Sequence, residues 1–118
     1  MARCGFTYIM TNASHRSLYV GVTNNLPRRM HEHLYVPPAW SFVKRYRIRK
    51  LVYCEAFELV VEAIAREKQL KSWSRARKER LIARHNPDWI QLIDDYGPNT
   101  LPEVNFPAFD YSDDRGLA

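Results

Sequence analysis

The sequence has few of the residues that tie a chain together by disulfides or hold it in a membrane. Its 118 residues, enough for one domain, include only two cysteines, Cys4 and Cys54. A disulfide framework or a zinc site would usually need more, so we predict two reduced thiols in the core. No apolar run approaches the length of a membrane span, and no signal-peptide pattern is present. These absences predict a cytoplasmic protein.

Acidic residues are scarce in the first 93 positions. Residues 1–93 contain 17 Lys and Arg against 7 Asp and Glu, a formal charge of +10, whereas residues 94–118 contain one Arg and 6 acids, a formal charge of −5. A basic body predicts a polyanionic partner, with nucleic acid first and an anionic membrane second. We therefore expect a folded domain at 1–93 and an acidic, proline-containing tail at 94–118.

Local patterns predict the order strand, strand, helix, strand, helix, helix. Alternating and aromatic-rich runs predict strands at 4–10, 17–22 and 49–57. Helices are expected at about 25–35, at 58–73 and at 74–85. Asn24, Asn25 and Ser74 are suited to cap the N-termini of two of these helices. The order is typical of an α+β fold in which helices pack against a small, largely antiparallel sheet.

The predicted helix at 58–73 carries a carboxylate among apolar residues. Glu67 falls near the middle of the stripe formed by Val60, Ala63, Ile64 and Leu70. A carboxylate on a buried face is costly unless it is paired or binds metal. Two interpretations are open: an ion pair with a basic residue of the first helix, or a metal ligand at the floor of a cleft. No DxD or HxxxH motif accompanies Glu67, but a single carboxylate suits Mg²⁺.

The first helix and the two strands before it supply further candidates. Arg29 and His33 are four residues apart and share a helix face, so they could hold a phosphate and exchange protons; the alternative is a surface arginine and a packed histidine. Tyr8 and Tyr19 lie on the strands and are either poor bases assisted by a cation or ordinary strand aromatics. Gly21 indicates close backbone approach.

Together these residues resemble the motifs of the GIY-YIG nuclease superfamily, in particular its small, single-domain bacterial branch. The similarity covers about residues 5–92, and its matching positions are Tyr8 in FTYIM, Tyr19-Val20-Gly21, Arg29, His33, and Glu67 in AREKQLKSW. The resemblance implies an α+β fold with a small three-stranded antiparallel sheet flanked by three or more helices. It also implies metal-dependent hydrolysis of DNA phosphodiester bonds.

The resemblance assigns a role to each matching residue. Glu67 would hold one Mg²⁺ or Mn²⁺, one of the two tyrosines would activate or position the attacking water, and Arg29 would bind the phosphate. His33 matches a position where members carry histidine or tyrosine. The chain departs from the pattern at Phe6-Thr7, which replaces Gly-Ile, and at Val22, where some members carry lysine. Asn86 is out of register with the asparagine that ends many of these domains.

Basic and aromatic residues outside the motifs are candidates for nucleic-acid contacts. They are Lys44, Arg45, Tyr46, Arg47, Arg75 and Lys78, and the alternative is a solvated basic face. With no separate DNA-reading module, we expect structure- or backbone-directed recognition with low sequence specificity, unless a partner protein supplies targeting. A nucleic-acid-binding protein without catalysis is the main alternative, and a membrane-surface or protein-interaction domain ranks last. DNA against RNA, and monomer against homodimer, stay open.

Overall fold

Three strands form one antiparallel sheet with the first strand at its centre. In the computed structural model, which describes residues 4–35, 46–94 and 97–98, the sheet order is β2-β1-β3. Its strands are β1 (Gly5–Thr11), β2 (Leu18–Thr23) and β3 (Lys50–Phe57). The helices are α1 (Leu26–Tyr35), α2 (Val60–Lys71) and α3 (Arg75–His85). The expected order of elements and the α+β class are therefore confirmed.

Polar side chains cap two of the helices as expected. The side-chain oxygen of Asn25 accepts from the backbone N–H of Arg28 at 3.1 Å, at the start of α1. The hydroxyl of Ser74 accepts from the backbone N–H of Arg77 at 3.2 Å, at the start of α3. Each contact satisfies one of the backbone donors that a helix N-terminus leaves unpaired.

The sheet separates two hydrophobic clusters because successive side chains of a strand point to opposite faces. One cluster lies on the α1 side and includes Tyr8, Met10, Leu26, Met30, Ile48, Leu51 and Cys54. The other lies on the side of α2 and α3 and includes Ile9, Val52, Leu70, Trp73, Leu81 and Ile82. The face toward α1 also carries both motif tyrosines, with Tyr19 packed at the margin of its cluster.

Helix α2 packs tightly against β1. A Cβ atom on Gly5 would lie 2.8 Å from the Cα of Val60, so a glycine is needed for this close approach. The hydroxyl of Thr7 donates to the backbone carbonyl of Ala63 at 2.7 Å. The predicted apolar stripe is wrong at one position, since Ile64 is 37% exposed. Arg66 is buried instead, because a carboxylate from β3 neutralises it.

The prediction that both cysteines are core thiols is half right. Cys54 is buried in β3, where desolvation raises the pKa of its thiol. Cys4 is exposed, because it precedes the first residue of the sheet. Neither cysteine forms a disulfide.

The end of the described chain forms a small antiparallel pair of its own. Strand β4 (Ile93–Asp94) pairs with β5 (Gly97–Pro98), across the expected start of the tail at residue 94. Residues 99–118, the rest of that segment, lie outside the described residues. Among the described residues, no helix is long and apolar enough to cross a membrane.

Candidate active site

Strand pairing brings Tyr8 and Tyr19 together on one face of the sheet. Tyr8 of β1 lies opposite Gly21 of β2, and Met10 lies opposite Tyr19. Because residues two apart share a face of a strand, Tyr19 and Gly21 both lie beside Tyr8. The two tyrosine ring centroids are 6.3 Å apart and their planes are inclined by 46°. Tyr8 is fully buried, whereas Tyr19 is partly exposed.

Gly21 makes room for the Tyr8 ring. A Cβ atom at position 21 would lie 2.5 Å from both Cζ and the hydroxyl oxygen of Tyr8, and 3.0 Å from Cε2 of Tyr19. These separations are well inside van der Waals contact. The expected close approach at Gly21 is therefore confirmed, and it is made by the side chain of Tyr8.

We expect Gly21→Ala to lower the free energy of unfolding by about 1–3 kcal/mol, the usual cost of overpacking a core. The added methyl group must push the buried Tyr8 ring aside. Urea denaturation would measure the loss. In a Tyr8→Leu background, which lacks the Cζ and hydroxyl atoms, the same substitution should cost clearly less, since only the approach to Cε2 of Tyr19 remains. An equal loss in both backgrounds would contradict the proposed clash.

Helix α1 places an arginine beside Tyr8. A side-chain hydrogen bond joins Arg29 to the phenol of Tyr8. The Nε atom of Arg29 also lies 3.3 Å from the carboxylate of Glu32, one turn along the helix, with the arginine side chain 24% exposed. Its neighbour Arg28 is exposed and donates to the side-chain oxygen of Asn24 at 3.3 Å. Of these two consecutive arginines, Arg29 therefore lies beside Tyr8, whereas Arg28 lies at the exposed start of α1.

Helix α2 places Glu67 within electrostatic reach of Tyr8. The carboxylate of Glu67 raises the pKa of Tyr8, although it is the smallest of the contributions. The Glu67 side chain is 16% exposed, and its carboxylate lies 3.0 Å from the ammonium of Lys71. An ion pair, one of the two interpretations of Glu67, is therefore present, and its partner is Lys71, one turn further along α2 itself. Tyr19, Arg29 and Glu67 therefore all lie within electrostatic reach of Tyr8.

The electrostatics around Tyr8 keep its phenol protonated. Burial, followed by the neighbouring Tyr19, raises the pKa of Tyr8 far above its ordinary value of 10.0, and Arg29 offsets this only in part. The raised pKa favours the protonated phenol, which can donate a hydrogen bond at neutral pH.

The oxygen donors at the site suit a hard cation. Glu67 offers a carboxylate that is partly exposed and lies within electrostatic reach of the Tyr8 phenol. Among the residues that the structure describes, no group of three or more His, Cys, Asp or Glu side chains is placed to hold a metal ion. A single carboxylate fits Mg²⁺ or Mn²⁺, which can take water and phosphate oxygens as remaining ligands; it does not fit a structural zinc site.

The remaining predicted site residues before α2 are either exposed or have side chains outside the described residues. His33 lies in α1, but its side chain is outside the described residues, as are Lys44 and Arg45. Tyr46 and Arg47 are exposed, and Arg47 has a positive φ of 54°.

The two candidates on α3 are partly engaged within the protein. The guanidinium of Arg75 donates to the backbone carbonyls of His15 and Arg16 and pairs with Glu79, so it fastens the β1–β2 loop to α3. Burial and then Arg75 lower the pKa of Lys78.

Sequence reasoning missed a buried charged network beside the site. Arg66, next to Glu67 in α2, lies 3.1 Å from the carboxylate of Glu55 and 5.1 Å from the ring centre of Trp73. Asn86 is also buried, and its amide donates to the backbone carbonyls of Val52 and Ile90 at 3.0 Å each. This asparagine joins α3 to β3. The sequence did contain one signal for the ion pair. Strand alternation places Glu55 on the same face of β3 as Tyr53, which predicts a buried carboxylate that needs a partner.

The sheet, the flanking helices and the four converging side chains define a class of protein. The chain belongs to the GIY-YIG family, because the family model described as the GIY-YIG catalytic domain matches residues 4–80. The GIY-YIG domain implies a nucleic-acid substrate, and nucleases of the family generally use a divalent metal ion.

Within the family, the chain is similar to small proteins named UPF0213. It is 34% identical over 88 residues to one from Limosilactobacillus reuteri, covering 74% of this chain and 91% of that protein. It is 40% identical over 86 residues to one from Natronomonas pharaonis, covering 70% and 95%. The solution NMR structure of a UPF0213 protein from Bacillus halodurans matches with a TM-score of 0.47 and 26% identity, covering 73% of this chain and 89% of that one.

Proposed function

We propose that this protein is a metal-dependent endonuclease that hydrolyses DNA phosphodiester bonds with low sequence specificity. The observation that carries the proposal is the convergence of Tyr8, Tyr19, Arg29 and Glu67. Phosphodiester hydrolysis needs a group that holds the phosphate, a site that offsets its charge, and a group that positions the attacking water. Each of these needs has a candidate among the four residues.

Arg29 is the residue that binds the scissile phosphate. Its guanidinium can hold two phosphate oxygens, and its hydrogen bond to the buried phenol of Tyr8 restricts its orientation. The pairing with the half-exposed Glu32 on the helix surface is weak, so the phosphodiester group of the substrate competes with it. Binding of the substrate would therefore exchange one partner of Arg29 for another.

The two tyrosines divide the remaining work in this proposal. Tyr8 is fully buried and stays protonated, so it positions Arg29 and donates a hydrogen bond. Tyr19 is partly exposed and is the phenol that reaches the attacking water. Glu67 would hold a divalent ion, which when bound supplies Lewis-acid activation and offsets the charge of the phosphate.

The basic body supports nucleic acid as the substrate. Its formal charge of +10 over residues 1–93 attracts the phosphate backbone without regard to sequence. Backbone contacts position a nuclease on its substrate but carry no sequence information, which is the reason for proposing low specificity.

Nicking of a supercoiled plasmid tests the proposal. Wild-type protein with Mg²⁺ or Mn²⁺ should convert the plasmid to the open-circular form, and EDTA should stop the conversion. We expect Glu67→Gln to slow nicking by at least about a hundredfold, in line with loss of one electrostatic stabiliser of a transition state. Glu62→Gln is the matched control on the same helix, since glutamine can still accept from the backbone N–H of Leu59.

The plasmid assay also separates the enzyme from a binding protein of the same fold. If the wild type and Glu67→Gln both bind the plasmid and both leave it intact, the endonuclease proposal is lost. Asn86 is the observation behind the binding-protein alternative. Its buried amide donates to backbone carbonyls, so it offers nothing to the substrate.

A further inference from the structure

A cavity lies beyond the end of β1, away from Tyr8, Tyr19, Arg29 and Glu67. Its volume is about 650 Å³, within the range of small-molecule sites. The β1–β2 loop forms one wall and the segment that enters β3 forms another. Residues of these walls that matter for its chemistry are Asn12, Ser14, Tyr46, Arg47, Arg49 and Lys50.

Hydrogen bonds hold the walls of this cavity in place. The side chain of Asn12 donates to the backbone carbonyl of Tyr46 at 3.3 Å and accepts from the backbone N–H of Arg16 at 2.9 Å. Gln91, also in the lining, accepts from the backbone N–H of Leu51 at 2.7 Å and donates to the carbonyl of Arg49 at 3.1 Å. The cavity is therefore a formed feature of the fold.

The lining combines positive charge with an aromatic ring. Arg47, Arg49 and Lys50 contribute cations, and none of the lining residues within 4–35, 46–94 and 97–98 is a carboxylate. The ammonium of Lys50 donates to Nε2 of His15 at 3.0 Å. Desolvation and then Lys50 lower the pKa of His15, so the ring is neutral at pH 7 and orients the ammonium without cancelling its charge. Tyr46 adds the aromatic ring and is 41% exposed.

A nucleotide is the ligand that matches this combination. Phosphate pairs with arginine and lysine, and a base stacks on an exposed aromatic ring. A base can reach such a ring only when it is unpaired, because a paired base presents its edges and not its faces. The cavity volume accommodates one nucleotide.

The position of the cavity relates it to the reaction site. Asn12 follows Tyr8 by four residues along β1, which corresponds to about 13 Å of extended chain. A nucleotide held at the cavity would therefore lie a few nucleotides from a phosphate held at Arg29.

We propose that this cavity binds one unpaired nucleotide of the substrate strand, with its base against Tyr46 and its phosphate on Arg47, Arg49 or Lys50. This inference rests on the proposed function, since it takes nucleic acid as the substrate. It assigns the protein to substrates that carry an unpaired segment near the cleaved bond.

Fluorescence anisotropy in EDTA tests this without cleavage. The probes are a blunt hairpin duplex and the same hairpin with an unpaired eight-nucleotide tail. Tyr46→Ala should weaken binding of the tailed probe by about tenfold and leave the blunt probe unchanged. Tyr46→Phe, which keeps the ring, should match the wild type, and Arg80→Gln is an exposed control residue outside the cavity lining. A tail of abasic nucleotides should lower wild-type affinity by a similar factor and remove the effect of Tyr46→Ala.

Two results would overturn the inference. One is an equal effect of Tyr46→Ala on both probes, or no effect on either. The other is displacement of the tailed probe by a free nucleoside monophosphate at the oligonucleotide's own concentration, which would assign the cavity to a free nucleotide. The two proposals fail separately: Tyr46-dependent binding without plasmid nicking removes only the endonuclease, and nicking without Tyr46-dependent binding removes only the cavity.

Discussion

Replacing Arg29 by alanine is expected to slow plasmid nicking by about 10²–10³-fold, the usual effect of removing one preorganised donor from a transition state. Arg29 is the cation that hydrogen bonds to Tyr8, and no other guanidinium among the described residues contributes to the electrostatics of that phenol. The rate of open-circle formation at saturating protein concentration would measure the loss.

Arg28→Ala is the matched control for this substitution. It removes the same charge from the neighbouring position of the same helix, but Arg28 is exposed and bonds to Asn24. Nicking by Arg28→Ala should stay within a few-fold of the wild type. Equal losses in the two variants would mean that the helix contributes only general positive charge, and Arg29 would lose its assigned role. Thermal denaturation of both variants separates a loss of rate from a loss of folded protein.

Replacing Glu55 by alanine is expected to lower the free energy of unfolding by about 3–5 kcal/mol, because it leaves a buried charge without its counter-ion. Glu55 is fully buried and Arg66 is 4% exposed. The Nε atom of Arg66 lies 3.1 Å from each carboxylate oxygen, and the hydroxyl of Tyr53 donates to the same carboxylate. Urea denaturation followed by circular dichroism would measure the change.

Glu79→Ala is the control for this prediction. Glu79 forms an ion pair with Arg75 on α3, and both side chains are 44% exposed. Exposed pairs contribute at most about 1 kcal/mol, so the loss should be much smaller. The double variant Glu55→Leu with Arg66→Met removes both charges and should recover most of the lost stability. Similar losses in Glu55→Ala and Glu79→Ala would show that water reaches the buried pair.

The location of the network makes the Glu55 result relevant to function. Arg66 is the neighbour of Glu67 in α2, and its bond to the strand restrains that turn of the helix against the sheet. The Nη1 atom of Arg66 also donates to the side chain of Gln69 at 2.6 Å. Arg66, which is buried against the sheet, and Glu67, the proposed metal-binding carboxylate, thus occupy consecutive positions of α2.

The order of the elements and the helix caps could be predicted from the sequence because both depend on local chemistry. Alternating apolar residues define strands, and asparagine or serine satisfies the first backbone donors of a helix. The structure confirms the caps at Asn25 and Ser74. The charge division between residues 1–93 and 94–118 needs no structure at all, since it depends only on composition.

The ion pairs between residues of different elements could not be predicted in the same way. Helix periodicity favours burial of Ile64, yet Arg66 is buried and Ile64 is 37% exposed. The reason is that burial of a charge depends on a counter-charge, and Glu55 belongs to a strand that only the tertiary structure brings to α2. Glu67 likewise pairs with Lys71 on its own helix.

The sequence by itself determined the family, the types of residue available for chemistry and the order in which they occur. The tertiary structure decided which of them meet. Tyr8 can lie over Gly21 only because the register of β1 and β2 puts them opposite each other, and a shift of one residue would turn Tyr8 to the other face. Register and helix packing are long-range properties, so they decide the composition of a site that local patterns can only suggest.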